Sequence, residues 1–409
     1  MTKKILKTAA VFMASCFILM PLGGCSDDEE QEKSDIPADY GTYGADFARE
    51  FAQACPYRKA FSEGEAQAGQ MIKEEFEELG YEVETQTFSN VYGSSSANYI
   101  IRIEGDGFLA ADENGDYSDL RKTVVIGAHY DDAYSSSEVP SEYSYDGISD
   151  NASGIATLMT IASEIRNYEN IGFDVVIVAF GAGSWDYMGA THFYNTLSAS
   201  DKESIEVMYC IDSIYSGDKV YASAGFNSLD LSQKYAMRRK LYQAYDVAYD
   251  NTLASTNNFS LLYNESNIVA DVDGDGTDDV YREVTLHKSD YVPFDEAGIP
   301  IVFFDSGDYF FDSLDDMKET KNLNLQEFGG MIRDTYLDSS EVLDEVLMTE
   351  DGTDILQTRI NNVSFVILES LLKGSDYGIT HEAYDALMAD IQAGLVDESE
   401  AAATAAVEG

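Results

Sequence analysis

Three short stretches of the chain carry side chains that can bind zinc. They are His129-Tyr130-Asp131, Ser149-Asp150-Asn151 and Ile211-Asp212-Ser213. An imidazole and two carboxylates that converge on one point complete most of a zinc coordination shell. The residue types therefore predict one zinc site with His129, Asp150 and Asp212 as ligands. The carboxylate of Asp131 can accept the second ring N–H of the histidine and fix the tautomer that leaves a lone pair for the metal.

The pattern of secondary structure brings these stretches together. Residues 122–128, 173–180 and 205–211 are apolar runs typical of strands buried on both faces, and residues 154–168 have helical spacing. Strands that alternate with helices predict a mainly parallel sheet covered on both faces. Ligands bind beyond the carboxyl ends of such strands. We therefore expect the three stretches to meet at one edge of the sheet.

Five blocks of sequence resemble a known family. In chain order they are Gly127-Ala128-His129-Tyr130-Asp131, Ser149-Asp150-Asn151-Ala152-Ser153-Gly154, Phe180-Gly181-Ala182, Ile211-Asp212, and Ser289-Asp290-Tyr291-Val292-Pro293-Phe294 with Ala297-Gly298-Ile299-Pro300. In order and approximate spacing they are similar to the secreted bacterial zinc aminopeptidases, the twenty-eighth metallopeptidase family. The resemblance covers residues 47 to 304 approximately.

The resemblance implies both a fold and a metal site. The fold is α/β and zinc-exopeptidase-like (phosphorylase/hydrolase-like), a three-layer sandwich with a central mixed, mostly parallel sheet. The implied site holds two zinc ions that share one aspartate, which falls on Asp150. His129 and Asp212 would complete the first zinc.

The chain departs from the family at three functional positions. Where the family has Phe-Gly-Ala-Glu-Glu, residues 180–184 are Phe-Gly-Ala-Gly-Ser, so the catalytic base falls on Gly183 and a ligand of the second zinc on Ser184. Where the family has Ser-Asp-His, the histidine ligand is replaced by Tyr291. A general base typically contributes about two to four orders of magnitude in rate. We therefore expect one zinc, no second metal and impaired catalysis.

Two functions remain open at this point. The first is a surface protein that binds a peptide or amino-acid-like ligand in a remnant one-metal pocket. The second is an active zinc metallopeptidase or aminopeptidase with a rearranged one-zinc site. Asp186 or His287 could then stand at the empty metal position, although the simpler interpretation is a turn-capping aspartate and an ordinary loop histidine. A purely structural role is a third possibility.

A second metal signal lies between residues 271 and 279. Oxygen side chains occupy the first, third, fifth, seventh and ninth positions of a loop with glycine at the sixth: Asp271, Asp273, Asp275, Thr277 and Asp279. This pattern is typical of an EF-hand-type calcium loop, although Arg282 stands where the usual glutamate would be. The alternative is an acidic surface turn without metal. The loop lies in a predicted insertion at about 235–285, which we expect to roof the pocket.

The beginning of the chain predicts export and lipid attachment. Three lysines precede an apolar run that ends in Leu22-Gly23-Gly24-Cys25. This is a signal peptide over residues 1–24, followed by a lipobox cysteine that would carry lipid at Cys25. An acidic tether over residues 25–42 would hold the domain at the extracellular face of the bacterial membrane. The alternative is an ordinary cleaved signal with a chance cysteine.

The composition limits the partners and the domain count. A net charge of −50 argues against binding to nucleic acid or anionic lipid, because both require a positive surface. Contact with the membrane would therefore be through the lipid alone. Residues 43–375 fit one large domain, and residues 376–409 form a C-terminal extension. Cys55 and Cys210 are expected to be buried thiols, with a disulfide as the alternative.

Overall fold

The computed structural model describes most of the chain after the tether. The described residues are 36–111, 117–253, 261–262, 267–272, 275–311, 313–349, 352–373 and 379–392. The signal peptide, Cys25, most of the tether, Asp273 and residues 393–409 lie outside them. Contacts group the described residues into one unit, Lys33–Gly409. Within the described ranges no helix is long and apolar enough to cross a membrane.

A mixed sheet forms the centre of the molecule. Its strands and those of two small sheets are β1 Glu84–Ser89, β2 Ser95–Ile103, β3 Phe108–Ala111, β4 Tyr117–Leu120, β5 Thr123–His129, β6 Asp174–Phe180, β7 Ile205–Ile211, β8 Lys219–Ser223, β9 Leu261–Leu262, β10 Ile268–Ala270, β11 Asp279–Tyr281, β12 Ile301–Gly307 and β13 Ile379–Thr380. Among the described residues, the central sheet has the order β1-β2-β6-β5-β7-β12-β8-β9. The inner strands β6, β5, β7 and β12 are parallel, whereas β1, β2 and β8 join through antiparallel pairs.

Helices cover both faces of this sheet. Their bounds are α1 Gly44–Ala54, α2 Glu63–Glu78, α3 Ser153–Glu164, α4 Met188–Thr196, α5 Ala199–Ser204, α6 Lys234–Asp250, α7 Val292–Glu296, α8 Ser340–Leu347, α9 Ile355–Leu372 and α10 His381–Gln392. A large apolar core contains residues of α1, α2, α3, α6 and α9 on one face. A second core contains Phe193 of α4 and Phe294 of α7 on the other. The molecule is therefore layered helix, sheet, helix.

The segment predicted as an insertion is built into the core. Helix α6 occupies residues 234–250, and its Leu241, Ala244 and Val247 are fully buried in the larger core. The expectation that residues 235–285 roof the pocket is wrong for this part, because an amphipathic face on α6 packs against the sheet and α9 instead. The short hairpin of β10 and β11 follows it.

The remaining expectations concern the cysteines and the C-terminal extension. Cys55 and Cys210 are both buried and are not joined by a disulfide. Residues 379–392 of the extension form strand β13, which pairs with β3, and helix α10. The extension therefore completes a small sheet.

Candidate metal centre

The three predicted zinc ligands lie at the carboxyl edge of the parallel strands. His129 is the last residue of β5 and pairs in register with Phe180 of β6. Asp212 directly follows β7, and Gly127 pairs with Cys210 in that strand. The sheet register therefore holds the imidazole and this carboxylate at the same level. The third side chain, Asp150, comes from the turn before α3.

The turn that carries Asp150 is fixed by its neighbours. Residues 148–152 form one irregular π-helical turn, and α3 begins only at Ser153. The amide side chain of Asn151 accepts from the Gly154 N–H and donates to the Ile211 carbonyl, which ties the turn to the end of β7. The buried carboxylate of Asp338 accepts the backbone N–H of Asp150 at 2.9 Å. The position of Asp150 is thus set from both sides.

The geometry of the three side chains fits one zinc ion. Nε2 of His129 is 3.3 Å from Oδ1 of Asp150 and 3.7 Å from Oδ2 of Asp212. One ligand atom from each residue lies within 4.8 Å of the others, and all three residues are buried. Ligands about 2.1 Å from a tetrahedral zinc are separated by about 3.4 Å, which matches these spacings. Three protein ligands leave one position open, as in catalytic zinc sites.

The histidine is oriented through its other nitrogen. Nδ1 of His129 is 3.0 Å from the backbone carbonyl of Asp131, and 3.7 Å from that residue's carboxylate. The orienting group is therefore the main chain rather than the predicted side chain. Burial lowers the pKa of His129, but three neighbouring carboxylates raise it more, so its pKa is well above the usual value. A proton and a metal ion compete for Nε2, so zinc affinity should fall at low pH.

The carboxylate of Asp131 instead holds the loop that follows β6. It accepts the backbone N–H of Gly183 at 2.6 Å and that of Ser184 at 3.0 Å. The Ser184 hydroxyl donates to it at 2.6 Å. A second carboxylate, that of Glu65 in α2, accepts the N–H of Ala182 at 2.8 Å. Sequence reasoning missed Glu65, because nothing in its helical surroundings marks it.

Gly183 has no space for a side chain. A Cβ atom added there would lie 2.4 Å from Cβ and 2.7 Å from Cγ of His129, and 3.3 Å from Oδ1 of Asp131. Contacts under 3.0 Å require one of the two residues to move. The position predicted for the catalytic base is therefore closed to any side chain unless the metal-binding histidine moves.

Tyr291, at the other position of the second metal, is also engaged in a different hydrogen bond. Tyr291 is fully buried at the start of α7, and its hydroxyl donates to the His287 carbonyl at 2.6 Å. Nδ1 of His287 is 2.9 Å from Oδ2 of Asp305. The structure does not bring Tyr291 or His287 into the lining of the cavity that contains the three ligands. Asp186 does line that cavity, so of the two residues considered as substitutes only the aspartate is nearby.

Two charged residues near the ligands were not predicted. Arg333, in the loop between β12 and α8, places Nη1 3.5 Å from Oδ2 of Asp212. Asp290 is fully buried, and neither of its carboxylate oxygens has a hydrogen-bond partner among the described residues. Burial, together with the nearby aspartates and against a lowering by His129, raises the pKa of Asp290 to about 7. No spacing in the sequence links Arg333 to the metal ligands.

An open cavity of about 320 Å³ lies over the centre. Its lining includes the three ligands, Arg333, and two exposed carboxylates, which are those of Asp186 and Asp334. Between the lining residues Ser184 and Asp186 stands Trp185, the single tryptophan of the chain, with 47% of its surface exposed. Its ring packs edge-on against Phe61 at 5.6 Å.

The calcium-type loop is described only in part. Asp271 accepts the Gly276 N–H at 3.0 Å, and Asp275 accepts the Thr277 N–H at 2.7 Å. Both bonds lie in the loop between β10 and β11. Calcium binding itself stays a prediction.

Comparisons with known proteins identify the family of the chain. The model of peptidase family M28 matches residues 109–336, more than half of the chain. The alkaline phosphatase isozyme conversion protein of Escherichia coli K12 is 22% identical over 349 residues, which is 83% of this chain and 90% of that protein.

Solved structures show the same fold. A zinc aminopeptidase from Bacillus subtilis superposes with a TM-score of 0.52 at 13% identity, covering 84% of this chain and 98% of the other. A glutaminyl cyclase from an Acidobacteriales bacterium gives a TM-score of 0.52 at 17% identity, covering 83% and 98%. The predicted family and the predicted α/β fold with its mixed, mostly parallel sheet are both confirmed, and the chain belongs to peptidase family M28.

Proposed function

We propose that this protein is a lipid-anchored member of its family at the extracellular face of a bacterial membrane, where it binds a peptide or amino-acid-like ligand with impaired hydrolysis. The pocket would hold one zinc ion. The observation that supports the proposal is Gly183 itself, which has no side chain at the end of β6 and where an added Cβ would lie 2.4 Å from Cβ of His129.

The lack of space for a side chain at Gly183 supports the loss of the catalytic base. Hydrolysis requires a group that takes a proton from water, and the base must stand within about 3 Å of that water. The N–H of Gly183 is held by Asp131, and the neighbouring Ser184 hydroxyl is held by the same carboxylate. A glutamate at position 184 would lose the hydroxyl bond, and a glutamate at position 183 would require His129 to move. Impairment therefore rests on backbone packing as well as on residue identity.

One zinc ion is supported by the donor set. His129, Asp150 and Asp212 converge, whereas Ser184 and Tyr291 make other hydrogen bonds. When bound, zinc would polarise a carbonyl oxygen and lower the pKa of water. The chain's own residues would orient the ligand in the cavity and hold Asp150 in place.

An active one-zinc hydrolase is the second candidate. The observation that favours it is the presence of two carboxylates, Asp186 and Asp334, in the lining of the cavity that contains the ligands. Either could serve as the base that Gly183 cannot supply.

Metal content and turnover distinguish the two functions. The mature protein, dialysed and reloaded with zinc, is analysed by plasma emission spectrometry and assayed with leucyl-nitroanilide and with a glutaminyl peptide. We expect one zinc per chain and a turnover no higher than that of His129→Ala, which removes a ligand. Two zinc ions with rapid turnover would overturn the proposal. Turnover that one zinc supports and Asp186→Asn or Asp334→Asn abolishes would establish the second candidate.

The location is tested separately. The full chain is expressed in a bacterium that processes lipoproteins, and membrane and medium fractions are compared with those of Cys25→Ser. We expect the wild type in the membrane fraction and protease-accessible on intact cells, and the variant released or unprocessed. Equal distribution of the two proteins would contradict lipid attachment.

A further inference from the structure

A buried cation with unused hydrogen-bonding capacity lies beside the metal ligands. Arg333 lines the cavity, and only 13% of its side chain is exposed. Its Nη1 is 3.5 Å from Oδ2 of Asp212, and its Nε is 3.6 Å from Oε1 of Glu319. Nε and Nη2 have no hydrogen-bond acceptor among the described residues.

The unmatched donors point to an acceptor that the chain does not supply. A guanidinium presents five N–H donors in one plane, and leaving charged donors unpaired in a buried place is unfavourable. Oε2 of Glu319 is held by the backbone N–H groups of Ile332 and Arg333. A small movement could bring Oε1 of Glu319 to Nε, but Nη2 would still lack a partner.

We propose that Arg333 binds a carboxylate of the ligand, so that the pocket recognises the free carboxylate of an amino acid or a short peptide. This inference rests on the proposed function, because it names the group by which that ligand is held. A guanidinium is well matched to a carboxylate, because two parallel N–H donors can bond to the two carboxylate oxygens. Arg333 also contacts Asp212, one of the three zinc-binding side chains, so the bound carboxylate would lie next to the metal.

The charges of the cavity are compatible with this orientation. A divalent ion would balance the carboxylates of Asp150 and Asp212, and Arg333 forms ion pairs with Asp212 and Glu319. The exposed carboxylates of Asp186 and Asp334 also line the cavity. They would attract the amino group of a zwitterion weakly, because exposed ion pairs contribute little. The carboxylate, held by a buried partner, would dominate recognition.

Calorimetry on the zinc-loaded mature protein tests the proposal. The probes are alanyl-alanine, its C-terminal amide, and N-acetyl-alanyl-alanine. We expect the amide to bind at least about tenfold more weakly than the free acid, because it loses a charge-assisted hydrogen-bond pair. The acetylated peptide should stay within about threefold of the free acid, because it loses only an exposed contact.

Variants assign the effect to Arg333. In Arg333→Met the acid should bind at least about tenfold more weakly while the amide is unchanged, so that the discrimination disappears. Arg333→Lys should recover part of it, since it keeps the charge and loses the paired donors. Arg102→Met is the matched control: it removes an arginine whose ion pair with Glu84 is exposed on both sides, outside the cavity, and should change nothing. Zinc content and melting temperature are measured for each variant.

The outcomes separate the two proposals. Equal, zinc-dependent binding of acid and amide by the wild type would overturn the role of Arg333 and leave the ligand-binding function standing. The wild-type comparison gives this result even if Arg333→Met fails to fold. Failure of every probe to bind the zinc-loaded protein would overturn both. Unchanged acid binding by a folded, zinc-loaded Arg333→Met would also overturn the inference.

Discussion

At the scale of single residues, the loop after β6 is arranged around the missing side chain at Gly183. The imidazole of His129 fills the space that a Cβ would need, and Asp131 bonds to the backbone of the loop. A metal ligand and the loop therefore constrain each other. Restoring the family's glutamate by substitution alone should fail, because the side chain would displace the ligand that positions the zinc.

Gly183→Ala tests this packing with the smallest possible side chain. We expect unfolding to become easier by about 1–3 kcal/mol, as for other overpacked sites, and zinc to bind more weakly because His129 is displaced. Melting temperature and zinc affinity measure the two effects. Gly307→Ala is the control, since the nearest atom to its added Cβ is 4.0 Å away. A Gly183→Glu protein of unchanged stability that hydrolyses peptides would contradict the argument.

Asp290 should make stability depend on pH. Its pKa is raised to about 7 by burial, whereas an unfolded aspartate has a pKa of about 3.9. Between these values the folded chain holds a proton that the unfolded chain has lost, so the free energy of unfolding falls as the pH rises. Asparagine cannot ionise, so the stability gained by Asp290→Asn should be larger at pH of about 8 than at about 5.

Melting curves at both pH values, recorded with a chelator, check this expectation. The exposed Asp316→Asn serves as the control, because its carboxylate loses little hydration on folding. A variant that differs from the wild type by the same amount at both pH values would sink the interpretation of Asp290 as an unpaired buried acid.

The residues of the centre differ in how far the sequence predicts them. His129, Asp150 and Asp212 were predicted because each directly ends a strand or opens a helix in a readable pattern. Arg333 and Asp338 were not, because they come from loops more than a hundred residues away from Asp212 or Asp150, and only the folded chain brings them together. Their contacts depend on loop conformations, which hydrophobic periodicity does not determine.

At the scale of elements, buried strands were the most predictable part. The apolar run of β7 begins and ends where it was expected, at residues 205 and 211. The region around α6 was misjudged, since a helix that lacks a family motif reads as an insertion although its apolar face completes the core. The spacing of apolar residues can be read within one element, but the element against which it packs cannot.

The hairpin of β10 and β11 carries the calcium prediction. Calcium should raise the melting temperature, because oxygen ligands from the connecting loop would be bound in the folded state alone. Asp271→Asn should remove most of the rise. Asp278→Asn is the matched control, because it has the same charge in the same loop but stands at a position that supplies no ligand. Equal effects of the two variants, or no rise with calcium, would indicate an acidic turn without metal.

At the scale of the whole molecule, the charge is far from balanced. Seventy-five acidic residues face 25 lysines and arginines, giving −50. Many of the ion pairs lie at the surface, where salt weakens attraction and repulsion alike, but repulsion is in large excess. Repulsion between carboxylates therefore destabilises the folded state, and dissolved salt should weaken this repulsion.

Raising sodium chloride from about 0.02 M to about 0.5 M should raise the melting temperature, because screening shortens the reach of charge repulsion. Scanning calorimetry with a chelator present measures it. Tetramethylammonium chloride should give a similar rise, because the effect needs only ionic strength and no particular cation. A melting temperature that falls with both salts would show that attractive ion pairs dominate.

The lone indole of Trp185 gives the protein an optical reporter of its own. It is partly in solvent, and its two chain neighbours line the cavity. Ultraviolet emission excited selectively in this ring comes from one known place, so a shift in its colour or intensity reports on the surroundings of Trp185, between two residues that line the cavity. Titrations of zinc or of dipeptides can therefore be followed without attaching a dye.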